Sequence, residues 1–291
     1  SYWYVSTGQI DRLLRRDRAV SSFERNLEQY LGVEGVTSTS MARTGIYLVV
    51  RALIHPGDRV LMSPYTIADV VNMVVCAGGE PVFCDIERET CNISLSEIRR
   101  KIDDNIACVL VTHFYGLACE IEEIASICEA RGVHLIEDCA QALGTRVGGK
   151  MVGTFGDAGV YSFGLYKSLS GFFGGAVGSP HASVIESVRS SLAGQPFEGV
   201  YRLLRQVISA AVADVATFPP LFRMIVFRLL RYGYLRRKGW AGGRFDFDKD
   251  AALLLSIPEF YLRRITAGQA KACLAAIDRV GGDIAERIRH A

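Results

Sequence analysis

Short apolar runs, each closed abruptly by polar residues, recur along the chain. They cover Gly35–Thr39, Arg59–Met62, Pro81–Ile86, Ala107–Thr112, Val133–Ile136 and Gly159–Phe163. The runs are continuous rather than alternating, which is the pattern of strands buried on both faces of a parallel sheet. Between them, apolar positions return every three or four residues. That spacing predicts helices ending near Ile54 and covering Thr66–Cys76, Leu95–Ile102 and Ile121–Ala130. Pro56-Gly57 and Ala77-Gly78-Gly79 punctuate the first two. Strand and helix alternate, which means a parallel sheet with right-handed crossovers. Ahead of the first strand, Gln9–Leu31 reads as helix in one or two pieces. Ser21 followed by Glu24 has the form of a capping box, and Gly32 is a stop.

From Ala182 to Gly239 the pattern changes. Two apolar segments studded with arginine are broken by Pro219-Pro220. Neither reaches the roughly 18 uninterrupted apolar residues of a membrane span. The second, Leu221–Lys238, carries Arg223, Arg228, Arg231, Arg236 and Arg237 among Leu, Ile, Val, Phe and Tyr. Two readings stay open for it. One is a basic amphipathic helix in peripheral contact with a membrane. The other is a hairpin packed on the domain or on a subunit partner, with its arginines solvated.

A chain of 291 residues, 49% of them apolar, supports one large α/β domain and a smaller piece. A net charge of +2 gives no global field for nucleic acid. The eight cysteines form no C-x-x-C pair and join no His cluster. That favours a reduced, cytoplasmic setting over a disulfide framework or a zinc site. The opening SYWYVSTGQIDRLLRR lacks the ordered regions of a signal peptide. No G-x-G-x-x-G follows an early strand, so dinucleotide binding is disfavoured.

The chemistry concentrates between Gly132 and Val177. The run Val133–Ile136 ends in two acids, Glu137 and Asp138. The run Gly159–Phe163 is followed by a lone lysine, Lys167, in glycine- and serine-rich chain. Ligands of open α/β sheets bind outside the carboxyl ends of the strands. An acid at a strand tip and a single lysine suit a cofactor with a basic ring nitrogen and an aldehyde. Pyridoxal phosphate (PLP) is such a cofactor: lysine takes the aldehyde and the acid pairs with the ring nitrogen. The plainer alternative is a solvated lysine and a helix-capping aspartate.

IEDCAQALG followed by SFGLYKSLSGFFGGAV resembles the DegT/StrS family of PLP-dependent sugar aminotransferases, over roughly Val36–Ser179. The resemblance implies the fold type I architecture, a mostly parallel sheet flanked by helices in three layers. It places a large PLP-binding domain at 1–250, with a helical insertion at about 182–239. Residues 251–291 would begin a small C-terminal domain. It implies transfer of an amino group from an amino acid, glutamate by expectation, to a nucleotide-linked keto-sugar. The setting would be envelope polysaccharide or glycosylated metabolite synthesis, and the assembly a homodimer.

The same resemblance assigns residues. Lys167 is the family's Schiff-base lysine, Asp138 the partner of the ring nitrogen, Gln141 the neighbour of the ring hydroxyl and Ser162 a phosphate ligand. TSMARTG matches the phosphate turn, with Ala42 at the usual glycine and Arg43 and Thr44 after it. The backbone N–H groups of such a turn, at a helix start, suit a phosphate. The alternative is an ordinary helix capped by Ser40. Ile67 stands where the family has a stacking aromatic, and Tyr65 is a substitute, a substrate contact or merely an interfacial tyrosine. His113 reads as a strand-end histidine held by backbone. Phe173 replaces a glutamate. Near the end, Arg264 and Gln269 match the family while Leu262 replaces an asparagine, leaving Arg264 as the substrate or cross-subunit contact. These departures keep a second reading open: an impaired PLP-fold scaffold tied to a membrane or a polysaccharide assembly. Dehydrating relatives carry histidine at the lysine position, so Lys167 disfavours dehydration.

Overall fold

The computed structural model describes residues 18–165, 167–236 and 252–290. A first helix, α1, covers residues 18–31. Then follow β1 (Gly35–Thr39), α2 (Ala42–Leu53), β2 (Arg59–Met62), α3 (Ala68–Cys76), β3 (Glu80–Phe83), α4 (Leu95–Lys101), β4 (Ile106–Thr112), α5 (Ile121–Arg131) and β5 (His134–Asp138). A small hairpin, β6 (Arg146–Val147) and β7 (Lys150–Met151), precedes β8 (Ala158–Ser162), β9 (Gly175–Ser179) and α6 (Ala182–Leu192). The main sheet has seven strands in the order β1-β9-β8-β5-β4-β2-β3. Strand β9 runs antiparallel to both neighbours, and the other pairs are parallel. The apolar runs predict a parallel sheet, which holds except at β9; the mostly parallel sheet is what the family resemblance implies.

Successive strand residues face opposite sides. Val60, Leu110, Ile136 and Val160 pack with α2, α3 and α6. Leu61, Val109 and Leu135 pack with α4 and α5 on the other side. Tyr161 and Ala176, on that side too, meet α1 and a later helix, α9 (Ala267–Ile277). Three layers result. Phe23 of α1 meets Phe163 edge-on at 5.3 Å, beside the lysine loop.

Strand β1 is a sheet edge, and α1 covers it. The Glu24 carboxylate accepts the N–H and the hydroxyl of Ser38, and Glu28 accepts the N–H of Val36. Arg189 of α6 donates to the Val36 carbonyl. Side chains thus satisfy backbone groups that an open edge would leave free. This corrects the capping-box reading. The helix already runs at residue 18, so Ser21 lies inside it and Glu24 serves the sheet. Gly32, at φ +73°, does end the helix. The expected helix over residues 9–17 lies outside the described residues.

The described residues up to Glu198 and from Leu254 onward form one compact unit; Gly199–Leu253 is a second. Helix α6, inside the range read as an insertion, packs on α2 and β1 of the first unit. In that unit Leu254 N–H reaches Asn72, and helices α9 and α10 (Val280–His290) follow. The second unit holds α7 (Val200–Thr217) and α8 (219–235), the latter with a π-helical turn at Phe222–Val226. The break falls at Phe218, before the two prolines, as the sequence predicts. Arg237 and Lys238 lie outside the described residues.

Candidate active site

Register brings the chemistry to one edge. Thr112, Asp138 and Val160 sit side by side at the carboxyl ends of β4, β5 and β8. Ser162, Gly175 and Thr39 form a second row just beyond. The loops after β1, β2, β4, β5 and β8 therefore open on the same side, and Tyr65, Ile67, His113, Gln141 and Lys167 lie on them. A cavity of about 890 Å³ lies there, lined in part by Ala140, Gln141, Ser162 and Lys167.

Strand β5 ends two residues beyond its apolar run, so Glu137 and Asp138 face opposite sides of the sheet. Asp138 is buried and accepts the Ala140 N–H at 3.0 Å. Burial raises its pKa, and the Ala140 N–H and the Lys167 charge pull it back. Lys167 sits in a turn closed by its own N–H on the Gly164 carbonyl. Burial lowers its pKa, partly opposed by the Asp138 carboxylate. Each group is thus held where its charged form is costly and is partly relieved by the charge of the other.

Glu137 does something else. It is fully buried, and its oxygens accept the N–H groups of Gly153, Phe155 and Gly156. His113 Nδ1 accepts the Cys119 N–H, so the ring proton is on Nε2, which donates to Glu137 at 3.1 Å. With four donors on its two oxygens, the carboxylate is saturated. Cys139 completes a cluster whose donor atoms lie within 4.8 Å of one another. The hydrogen bonds make that cluster a structural network, and His113 is the strand-end histidine expected from sequence.

The turn before α2 has Met41, not Ser40, as the N-cap, and no side chain caps it. The Ser40 and Thr44 hydroxyls both donate to the Tyr261 carbonyl, at 2.7 and 2.8 Å. The first-turn N–H groups of Ala42, Arg43 and Thr44 are those that a helix leaves without internal partners. Gly175 backs this turn closely: a Cβ there would lie 2.6 Å from the Ala42 nitrogen. Since Gly175 pairs with Ser162, the turn and Ser162 are neighbours across one glycine. The Arg43 guanidinium pairs with Asp69 and lies over the Tyr261 ring at 5.4 Å, which leaves its backbone as the group for the turn.

Ile67 is the N-cap of α3, half exposed. Tyr65 packs on Phe114 at 5.2 Å, and its hydroxyl lies 3.5 Å from that of Tyr115. Tyr115 lines the cavity, sits at φ +53° and donates its N–H to Gln141 Oε1 at 3.3 Å. Sequence reasoning missed it; the Tyr115-Gly116 dipeptide after a strand was the available signal. Arg264 is not in this cavity. It covers the Phe197 ring at 4.4 Å and lines another hollow with Glu24 and Arg189. Gln269 caps α9 with Thr266 and donates to the Phe173 carbonyl, tying down the glycine-rich loop.

A family model for the DegT/DnrJ/EryC1/StrS aminotransferases matches residues 8–195. The chain belongs to this family. Among its curated relatives, GDP-perosamine synthase of Vibrio cholerae is 37% identical over 172 residues, 59% of this chain and 47% of that protein. Two solved structures share the fold of this chain. The aminotransferase from Psychrobacter cryohalolentis aligns at a TM-score of 0.65 and 20% identity, over 90% of this chain and 56% of that one. NtdA of Bacillus subtilis with bound cofactor PMP aligns at 0.56 and 27% identity, over 62% of this chain and 41% of that one. The chain spans about half the length of the curated relatives it matches.

Proposed function

We propose that this chain is a PLP-dependent aminotransferase that moves an amino group from glutamate to a nucleotide-linked keto-sugar. One observation carries the reading: in a DegT-family chain, buried Asp138 at the end of β5 and the Lys167 loop after the adjacent β8 open on the same carboxyl edge of the sheet, where each charge acts on the other. The residues fit the cofactor. Asp138 is a buried carboxylate with one backbone donor, suited to a protonated ring nitrogen. The uncapped start of α2, against Gly175 and Ser162, offers N–H groups to a phosphate. When bound, PLP supplies an electron sink for carbanion chemistry.

The chain's own residues do the rest. Asp138 keeps the ring nitrogen protonated. Lys167 Nζ would hold the cofactor and would serve as the base that carries a proton from one carbon to another. Its lowered pKa gives it a free-base fraction below the ordinary lysine range. Gln141, oriented by the Tyr115 N–H, lines the same cavity as Lys167. Tyr115 and Tyr65 supply an aromatic rim in place of the ring missing at Ile67. The assembly in this reading is a homodimer. Arg264, outside its own chain's cavity, is assigned to the partner's site.

The test is an absorbance spectrum of the purified protein with PLP, before and after glutamate. A visible band that glutamate discharges is expected, and borohydride reduction before glutamate should leave a pyridoxyl group on Lys167. A band with no response to any amino donor would favour the scaffold reading; a label on another lysine would remove Lys167.

A further inference from the structure

Gly199–Leu253 is a compact unit to which the aminotransferase reading gives no task. On α7, Tyr201, Ile208 and Val215 recur every seven residues, two helical turns, and are 81%, 54% and 64% exposed. Phe218 at the break is 59% exposed, and Met224 and Leu229 on α8 are 63% and 55% exposed. A water-soluble helix pair normally buries such positions. The groove between the two helices is walled by aliphatic side chains, among them Ile208, Val215 and Ile225.

Charge narrows the choice of occupant. Residues 199–236 contain six arginines and one acid, Asp214. A second copy on this face would set arginines against arginines, and like charges across an interface repel. Arginine among exposed apolar side chains matches a surface with phosphates above hydrocarbon, because its stem lies along the apolar part while the guanidinium reaches the phosphate.

Geometry fixes the depth. Among the described residues no single helix is long and apolar enough to cross a membrane. Tyr201–Thr217 and Pro219–Gly233 pass that test only as a pair, bent by 69°. Helix α7 alone, at about 1.5 Å per residue, is near 27 Å, short of a straight crossing of about 30 Å. The pair as bent is therefore not one straight span, and six arginines spread over both helices favour the phosphate level over the bilayer centre. We infer that this unit seats in one leaflet of an anionic bilayer as a bent helix wedge. Its apolar faces lie among the upper acyl chains and its arginines at the phosphates. The wedge includes α7, where the sequence pointed only to Leu221–Lys238.

The experiment is co-sedimentation of the full chain with vesicles of phosphatidylcholine alone or with added phosphatidylglycerol. Binding to the anionic vesicles is expected, weakening as salt rises. The pair Ile208→Glu and Met224→Glu, helical by circular dichroism, should lose binding. Arg228→Gln with Arg231→Gln should bind more weakly and with a shallower salt dependence. Four results would overturn the inference: wild-type protein left in the supernatant at low salt, equal binding to neutral vesicles, unchanged binding by the Glu pair, or an unchanged salt dependence in the Arg pair. PLP absorbance is read in parallel, so that loss of the site and loss of membrane contact are seen separately.

Discussion

Asp138 and Glu137 are adjacent carboxylates with opposite consequences. Asp138 has a folded pKa above its ordinary value of 3.8, with burial the main cause. At neutral pH it is therefore ionised at a cost that the unfolded chain does not bear. That cost is complete above the folded pKa and vanishes as pH falls to the unfolded value, where both states are protonated. Asp138→Asn should raise the melting temperature of the cofactor-free protein, by roughly 2–4 °C for each kcal/mol relieved. The gain should shrink as pH falls toward 3.8. The same variant should slow the glutamate half-reaction about a hundredfold or more, since the ring nitrogen loses its anion. Calorimetry across pH and single-turnover absorbance check the two halves. Near-normal turnover would take Asp138 out of the site. Glu137 behaves in reverse, because three backbone N–H groups and His113 depend on it. Glu137→Gln turns one acceptor end into a donor facing donors. It should cost about 3 kcal/mol or more in urea unfolding. Sequence showed two acids at a strand tip but not which face each takes; that needed the end of β5, two residues past the last apolar one.

Elements were legible where periodicity was strong. Gly35–Thr39 and Arg59–Met62 are strands with the expected bounds, because every residue of each is paired to a neighbouring strand. Helix α3 starts at Ala68 rather than Thr66, since Ile67 stays extended as its N-cap. The capping box failed for a different reason: Glu24 looks local in sequence yet bonds Ser38 fourteen residues away. Pattern reading sees neighbours along the chain, and edge protection by a preceding helix is not one of them. That interaction can be weighed directly. Glu24→Ala leaves the Ser38 N–H and hydroxyl without their acceptor and should cost about 1–3 kcal/mol. Glu24→Gln keeps an acceptor and sheds a charge that burial disfavours, so it should cost much less. Equal losses in thermal melts would mean that the charge, not the acceptor, is what β1 needs. Tyr115 was missed likewise, because its place at the cavity rim comes from a left-handed backbone turn rather than from any periodic position.

At the scale of the molecule, the DegT resemblance pointed to residues that the sheet brings to one edge, while the packing of residues beyond Leu254 was not readable from it. Those residues lock the first unit: Tyr261 holds Ser40 and Thr44, and α9 fills the core beside Phe163. Arg264 faces away from the Lys167 cavity of its own chain. The homodimer with shared sites accordingly predicts complementation. Lys167→Ala and Arg264→Ala, each inactive alone, should regain activity when mixed and allowed to exchange subunits. Light scattering that gives the mass of one chain, with activity kept, would reject the shared site.

The grip of Tyr261 on the turn before α2 has a kinetic consequence. Its partners Ser40 and Thr44 are 221 and 217 residues away. A chain leaving the ribosome amino end first can pair β1 to β9 well before Tyr261 exists. Until then the two hydroxyls have only water or each other, and the start of α2 is free to fray. The extra length contributed by Gly199–Leu253 adds little to the closing cost, because loop entropy grows with the logarithm of length, about 0.6 kcal/mol per doubling. It adds waiting time instead, at about 5–20 residues per second. The turn before α2 thus locks only late in synthesis, once Tyr261 has been made. A nascent chain arrested before residue 261 should carry a formed sheet that binds PLP poorly, and release past that point should restore binding without further change in the sheet.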